Sequence, residues 1–488
     1  MRRIVRASAP ALLLVVAACS LAPKYERPAA PVAPAIGAAP AEGGAPPRIA
    51  AADLGWRDVF RDPRLQALEV LALRNNRDLR LAALNVELTE AQYRIQRANQ
   101  LPQVVASGSV TREHLSAVQS SSGKPVTATV YAVGAAVPAF ELDFFGRVRN
   151  LSKAALEQYF STEEARRSAE ISLVAGVAVQ YLSIRASEDQ VALAKQTLET
   201  VEASLSLTRR TYEAGRTSEL DLRTAESQVE SARFNLSVAQ RLLAEAQNAL
   251  VLLVGQPLPP DLPAGAPLDA QELVLDVPAG LPSDVLLRRP DILAAEHALV
   301  GANALIGAAR AAFFPSITLT GSVGSTSLEL SQLFSSGTGF WSFVPQINVP
   351  IFQGGARVAN LDAAKVRKKI QIAQYERAIQ GAFREVADAL DARGFLDEQL
   401  DAQQARVQAE QRRYDLSDLR YRKGVDSYLV VLTAQRDLYT AQALLIQSRF
   451  ARLANLVDLY RALGGGWRET SSADAQPAAA PAAPAKQG

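Results

Sequence analysis

The chain has 488 residues, 48% of them apolar, with 52 basic residues against 50 acidic, one Cys, two His and one Met. This is ordinary globular composition, and the near-zero net charge excludes a nucleic-acid binder, which would be strongly basic. Beyond residue 18 no run approaches the ~18 to 20 apolar residues of a membrane-spanning helix. The best candidate, Ile171 to Leu182, is short and interrupted by Gln180, which excludes a polytopic inner-membrane protein. At ~100 to 200 residues per domain the length allows two or three units with ample core.

The amino terminus reads as an address. Arg2, Arg3 and Arg6 precede the apolar stretch Ala11 to Ala18, the basic start and short hydrophobic body of a secretory signal peptide over residues 1–18. Its removal takes away three Arg and no acid, leaving 49 basic against 50 acidic residues. The only cysteine, Cys19, ends the run Val16-Ala17-Ala18-Cys19, where it cannot make an intramolecular disulfide. This pattern resembles a bacterial lipobox, which implies a mature chain that begins at an acylated Cys19 and, with Ser20 beside it, outer-membrane sorting. Lipid chains anchor a protein without a spanning helix. Residues 19–52, rich in Ala and Pro from 28 to 47, then read as a lipidated N-terminal linker.

Prolines mark where the architecture changes. They avoid two long windows, 139–256 and 351–476, and crowd residues 23–63 and 257–290. Proline breaks helix interiors, so the two windows read as helical. Each is punctuated once, by Tyr212-Glu-Ala-Gly215 and by Tyr421-Arg-Lys-Gly424, giving two long helices around a Gly turn in each window. A continuous helix from Leu151 to Ala214 would reach on the order of 90 Å at ~1.5 Å per residue. Apolar residues step by three and four along Val191, Ala194, Leu198, Val201, Leu205, Thr208 and Tyr212, and again from Leu222 through Ala225, Val229 and Ala232 to Leu253. The second window repeats the pattern with Leu400, Val407, Tyr414, Tyr421, then Val431, Ala434, Leu438, Ala441 and Leu445. These are coiled-coil seams, most of them bundle core.

The chain is duplicated. A shift of 209 places Tyr212 on Tyr421, Gly215 on Gly424, Leu220 on Leu429 and Thr224 on Thr433; a shift of 213 places Asp78 on Asp291, Arg97 on Arg310 and Pro102 on Pro315. One unit has been used twice: repeat 1 over 53–256, an inter-repeat linker over 257–280, and repeat 2 over 281–466. Each copy contains a segment of period two. Trp341, Phe343, Ile347, Val349 and Ile351 alternate with Ser342, Val344, Gln346 and Asn348, and Ile317, Leu319 and Val323 with Thr318, Thr320 and Ser322. In the first copy Val104 to Thr111 and Tyr131 to Phe140 flank the turn-like stretch Ser116 to Lys124. Two hairpins follow, at about 103–145 and 316–352, each leading to a helix pair, 151–254 and 356–463. Alternation alone fits a soluble four-stranded sheet as well as membrane strands, and membrane strands must sit in a closed barrel. Four strands cannot close alone, so membrane strands would have to be pooled with other copies of the chain.

The run Leu281-Pro-Ser-Asp284, Arg288-Arg-Pro-Asp-Ile292, Ala295-Glu296, Ala302, Ala308 and Phe313-Phe-Pro-Ser-Ile317 resembles the signature of the outer-membrane factor family. Phe145-Gly146-Arg147, Val349-Pro-Ile-Phe352 with Gly355, and Tyr421-Arg-Lys-Gly-Val-Asp-Ser-Tyr428 match as well. The resemblance covers residues 53–465 and is to the TolC-like channels, in their OprM-like lipoprotein branch. It implies a mainly α protein with a membrane β-barrel, in which a homotrimer forms a 12-strand barrel above an α-helical periplasmic tunnel. It further implies an exit duct that passively conducts drugs or other small toxic solutes. The implied partners are a periplasmic adaptor, a proton-driven inner-membrane efflux pump and outer-membrane lipid. In that family the tunnel closes just after the second Gly turn, which maps the gate to Leu429 as an apolar ring with Thr433, Arg436 and Asp437 as polar neighbours. Many members carry Asp where this chain has Thr433, a departure that leaves open whether the gate forms an acidic cation-binding ring. The adaptor would dock on the turns, at Gly215, Arg216 and Glu219 and at Gly424 and Asp426, six grooves of two kinds in a trimer.

Enzymatic readings are thin. His114 lies in an outer hairpin and His297 on a helix, neither with a partner in sequence, and Cys19 is claimed by the lipobox, so no metal site or nucleophile emerges. Gly464-Gly-Gly466 has no Lys-Ser/Thr after it and reads as a helix stop rather than a phosphate loop. No cofactor is expected beyond the covalent lipid on Cys19. With Met1 the only methionine, a soft-metal pathway within this chain is disfavoured. Residues 467–488 read as a disordered tail. The alternative is a lipid-anchored periplasmic coiled-coil scaffold or adaptor without a channel, which would not need two amphipathic hairpins.

Overall fold

The computed structural model describes residues 20–36, 53–273, 275 and 281–471. Cys19 and the signal segment lie outside the described residues. In chain order the elements are β1 (Ala35–Ile36), α1 (Trp56–Val59), α2 (Pro63–Asn75), α3 (Arg77–Ala98), β2 (Val105–Leu115), β3 (Val126–Leu142), α4 (Arg147–Glu213) and α5 (Glu219–Val254). Then come β4 (Leu281–Pro282), α6 (Pro290–Ala311), β5 (Ser316–Ser327), β6 (Gly339–Asn348), α7 (Ala356–Arg422) and α8 (Tyr428–Ala462). The duplication is visible in the lengths: α3 and α6 have 22 residues each, α4 and α7 have 67 each, and α5 and α8 have 36 and 35. The described residues form two compact units, one made of 20–29, 85–163 and 294–376 and the other of the described residues within 30–84, 164–293 and 377–471.

The first unit holds a four-stranded antiparallel sheet in the order β2-β3-β5-β6. Register sorts its faces. Ala135, Val323 and Trp341 share a row, as do Val137, Gly321 and Phe343, then Phe140, Leu319 and Pro345, then Leu142, Ile317 and Ile347. Every one of these residues is apolar, while the opposite face carries the Ser322–Ser342 hydroxyl pair and the Thr318–Gln346 pair. The apolar face is open: Trp341 is 78% exposed, and Phe343, Ile347 and Val323 are exposed too. Pro138 lacks an N–H for the ladder and falls where the β3–β5 register slips between Val137 and Phe140; Pro345 lies on an edge strand. Val349 and Ile351 fall past the end of β6, so the strand is shorter than its alternation suggests.

Residues 20–29, within the linker expected over 19–52, are held by side chains of the helices. Ser20 Oγ donates to Asn150 at 3.1 Å, the carbonyls of Leu21 and Pro23 accept from Arg310 and Asn303 at 3.1 and 2.7 Å, and Arg27 clasps both oxygens of Glu296 at 2.7 and 2.8 Å. Their polar backbone is satisfied by helix side chains, which no periodicity in an Ala/Pro stretch reveals. His297 also has a partner, Glu157 at 2.7 Å, 140 residues away in sequence.

The second unit is built of helices packed along their seams. Val191 and Ala194 of α4 meet Ala239 of α5, and Val201 meets Val229 and Ala232. Tyr212 is a correction: it is 39% exposed, because the seam ends where the helices part into their turn. Helices α4 and α6 each contain a stretch apolar enough to cross a membrane, but half or more of each stretch is buried within the chain. At the start of α2 the side chain of Asp62 accepts from Arg64 and Leu65 N–H, from Tyr181 Oη at 2.7 Å, from Ala266 N at 2.9 Å and from Gln271 Nε2 at 2.7 Å. Burial opposes its charge, but the hydrogen bonds led by Gln271 and Tyr181 outweigh it and hold the carboxyl below the usual range. The linker between the repeats is thereby tied to the first of them. Residues 467–471, expected as the start of a tail, are also bonded in: Trp56 N donates to Arg468 O at 3.0 Å, Arg57 pairs with Glu469 at 2.7 Å, and Ser471 N donates to Asp58 at 2.9 Å.

Glu69 of α2 is fully buried and neither carboxyl oxygen has a hydrogen-bond partner. Burial alone pushes it well above the ordinary range, so the folded chain keeps it protonated. The unfolded chain ionises it above about pH 4.3, so folding stability falls as pH rises past that value, by up to about 1.4 kcal/mol per pH unit, until the folded-state carboxyl also ionises. Glu69→Gln should remove this slope. Apparent thermal midpoints of both proteins at pH 5 and pH 8 check it: the wild type is expected to lose more on going to pH 8 than the variant, and equal losses would be contrary.

Candidate functional site

The two Gly turns of the second unit are built alike. Gly215 has φ 72°, Gly215 N donates to Tyr212 O at 2.8 Å and Arg216 N to Thr211 O at 2.9 Å. Gly424 has φ 73°, Gly424 N donates to Tyr421 O at 2.8 Å and Val425 N to Arg420 O at 2.9 Å. Each is a Schellman stop, in which a left-handed residue satisfies the last helix carbonyls, and glycine takes that conformation without a Cβ penalty. Beyond the stop the copies diverge. Ser218 caps α5 in a reciprocal box with Asp221, whereas Ser427 has no such acid three residues on, where Val430 stands. There Arg420 clasps Asp426 instead, at 2.6 and 2.9 Å. Arg216 is exposed, and Glu219 is exposed and reaches Arg223 at 3.3 Å.

Behind the turns the two helix pairs share one core. Tyr428, buried, packs with Ala225, Val431 and Leu432, flanked by Leu205, Tyr414 and Tyr421. Its hydroxyl lies 2.9 Å from Ser204 Oγ, and its ring is 5.3 Å from that of Tyr421. Burial raises the Tyr428 phenol above its ordinary range, so it stays a neutral hydrogen-bonding group.

The four residues mapped to a gate do not form one cluster. Leu429 is 66% exposed one residue after the buried Tyr428, and Thr433 Oγ1 donates back to the Leu429 carbonyl at 2.9 Å. Arg436 and Asp437 lie a turn further on, and Asp437 rather than Thr433 joins α7: it accepts from Arg413 at 3.0 Å and from its neighbour Arg436 at 3.2 Å. The Arg413 hydrogen bond leads in holding the Asp437 carboxyl below the usual range. Thr433 adds a hydroxyl already engaged with its own helix and no charge.

Sequence reasoning missed two features. Arg413 and Glu410, 3.0 Å apart, complete the polar cluster at Asp437. The signal was present, since Arg413 precedes Gly424 by about as many residues as Asp437 follows it, which places them across the turn from one another. Leu220, the equivalent of Leu429 in the first repeat, is 75% exposed, and Thr224 Oγ1 donates to its carbonyl at 2.6 Å. Each repeat therefore presents an exposed Leu backed by a Thr hydroxyl. Among the described residues no group of three or more His, Cys, Asp or Glu is placed to hold a metal ion.

Comparison with known proteins is in keeping with this architecture. The family model described as outer membrane efflux protein matches residues 68–256 and 281–465. The chain is 50% identical over 461 residues to the antibiotic efflux pump outer membrane protein ArpC of Pseudomonas putida, covering 93% of this chain and 94% of that protein. It is 49% identical over 461 residues to the toluene efflux pump outer membrane protein TtgC of the same species, with the same coverage of 93% and 94%. Among solved structures, the open state of the Neisseria gonorrhoeae MtrE outer membrane channel is 45% identical, with 93% of this chain and 100% of that one covered and a TM-score of 0.85. The fold is the one the resemblance implied, mainly helical with a membrane β-barrel sheet, in two tandem repeats of hairpin and long helices. Its location is the outer membrane, and its class is that of transport channels rather than of enzymes. Matched in both repeats and along nearly its whole length, the chain belongs to the outer membrane efflux protein family.

Proposed function

We propose that three copies of this chain form the exit duct of a tripartite efflux system, through which solutes pass outward from a periplasmic adaptor and an inner-membrane pump. The observation that carries this reading is the sheet: four strands, an open apolar face across all of its central rows, and unpaired edges at β2 and β6. A row of unpaired N–H and C=O groups in lipid costs several kcal/mol per group, so such a sheet must be closed by others. Because β2 and β6 run in opposite directions, β6 of one copy pairs antiparallel with β2 of the next, and a ring follows. Three copies give the 12 strands of the family barrel.

Leu429, exposed beside the Gly424 turn, supplies the apolar constriction, with Thr433 one turn behind it and Arg436 and Asp437 a turn further on. The Arg413–Asp437 pair ties α8 to α7 and resists their separation; being exposed, it is a modest tie. Leu429→Ala should raise single-channel conductance in planar bilayers and sensitise cells to large antibiotics, and Leu220→Ala provides the matched comparison from the first repeat. Unchanged conductance and susceptibility for Leu429→Ala would remove the gate from this residue.

Cys19 carries the acyl anchor in this reading, but a closed barrel is held in the bilayer without it. Cys19→Ala behind an unrelated cleavable signal should still assemble and conduct. Recovery of that variant as soluble periplasmic protein would contradict the barrel.

The turns at Gly215, Arg216 and Glu219 and at Gly424 and Asp426 are the adaptor contacts, six sites of two kinds around a trimer. Their shared Schellman frame and different charge pattern support two docking modes rather than one. The similar proteins from P. putida are named for antibiotic and toluene efflux, and this chain, with Met1 as its only methionine, is poor in the soft ligands that Cu(I) or Ag(I) favour; multidrug or solvent export is the cargo reading. In cells lacking the gene, wild type should restore resistance to antibiotics and toluene, and Arg216→Glu with Glu219→Arg should restore less while weakening adaptor cross-linking. Rescue confined to Cu(II) and Zn(II) would overturn the cargo, and full cross-linking by the variant would move docking elsewhere.

A further inference from the structure

Three segments that carry the family resemblance, Phe145-Gly146-Arg147, Phe313-Phe-Pro-Ser-Ile317 and Val349-Pro-Ile-Phe352, each contribute to one cavity in the sheet-bearing unit. It has a volume of about 220 Å³ and lies where strands give way to helices, at the end of β3, the start of β5 and the starts of α4 and α7. Part of its lining is aromatic: Phe145 and Phe314 stack with ring centroids 4.6 Å apart, and Phe144 joins them. The rest is charged, with Glu141, Asp143, Arg147 and Arg357.

Those charges do not cancel. Glu141 accepts from Arg147 Nε at 2.9 Å and from Arg147 Nη2, and Asp143 accepts from Arg149 N at 2.8 Å and from Arg149 Nε at 3.4 Å. Both acids of the lining are therefore engaged by other arginines. Arg357 donates from Nε to the amide oxygen of Gln353 at 2.8 Å, and its Nη1 is buried with no hydrogen-bond partner. A buried cationic N–H without an acceptor is costly, and an anionic oxygen is the group that best relieves it. Arg357 is also the second residue of the 67-residue helix α7, whose positive end adds to the same sign.

Register shows which side of the sheet this is. Glu141 lies in one row with Thr318 and Gln346, on the polar face. With the apolar face turned to lipid, the charged lining continues the inner wall of the barrel.

We propose that this cavity is an anion subsite on the inner wall of the duct, which receives the carboxylate or sulfonate of an aromatic amphiphile in transit. The acidic group meets the Arg357 guanidinium, whose planar fork suits it, and the ring lies against Phe145 and Phe314. Whole drug-sized ligands occupy pockets of ~300 to 1,000 Å³, so a cavity of about 220 Å³ takes the acidic head and its first ring rather than a whole molecule. Such a partial hold suits a passage, where a solute must enter a site and leave it again. The proposal rests on the exit-duct reading and adds a class of cargo to it.

The test titrates naphthalene sulfonate into the full-length protein in lipid nanodiscs by calorimetry, with empty nanodiscs correcting for partition into lipid. Wild type should bind saturably, and Arg357→Gln should weaken binding by about tenfold or more, the worth of a charge-assisted hydrogen bond. Glu141→Gln, which releases Arg147 from its partner, should tighten binding, a gain that a misfolded protein cannot produce. Arg367→Gln, exposed and about 15 Å further along α7, should leave the affinity unchanged. Equal binding of naphthyl trimethylammonium, or an unaltered affinity in Arg357→Gln, would overturn the subsite. Displacement of the sulfonate by short-chain phosphatidylglycerol but not by benzoate would give the site to a lipid headgroup and overturn the cargo assignment. Conductance of the same preparation in planar bilayers separates the two readings: channels that conduct without binding the sulfonate leave the duct standing, and a preparation that does not conduct overturns the duct as well.

Discussion

Everything in this structure follows from one constraint: backbone N–H and C=O groups inside a bilayer have no water to bond to. The chain contributes four strands whose rows are apolar on one face, and it leaves β2 and β6 without partners. A soluble sheet would cover the apolar face with helices, yet Trp341, Phe343 and Ile347 lie open. The open face asks for lipid and the open edges ask for other copies. An even number of alternating strands meets both demands, since joining copies edge to edge preserves antiparallel pairing all round.

Duplication then explains how one chain serves two ends. Each repeat supplies a hairpin and a pair of long helices ending in the same Schellman turn, so the geometry of the turns is inherited twice. Their chemistry has diverged. Asp221 closes the cap of α5 in the first copy, and Val430 stands at the equivalent position in the second, where Asp426 is held by Arg420 instead. The leucines after the turns, Leu220 and Leu429, remain exposed in both. One inherited frame thus carries two different surfaces.

The elements with a strong period were legible in the sequence for a physical reason: helix seams and strand alternation are set by which face is buried. The Gly turns were legible because only a left-handed residue ends these helices so compactly. What was not legible depended on long-range closure. The segment 20–29 has no period, and its docking rests on Asn150, Glu296, Asn303 and Arg310, all distant in sequence. His297 has no partner near it in sequence, and the fold supplies Glu157 from 140 residues away. The buried carboxyl of Glu69 looks in sequence like an ordinary polar helix position, although Leu65, Leu68 and Ala72 around it are core. In the candidate gate the resemblance pointed to Leu429 and Thr433, and the tie from Arg413 to Asp437 was latent in their similar distances from Gly424.

The open edges of the sheet are to be met by other copies of the chain and its open apolar face by lipid. The number of chains in the detergent-solubilised particle tests that account most directly. Native mass spectrometry of the purified protein should give three chains per particle, with no stable monomer under mild conditions. A single chain that nonetheless conducts ions in a planar bilayer would contradict it.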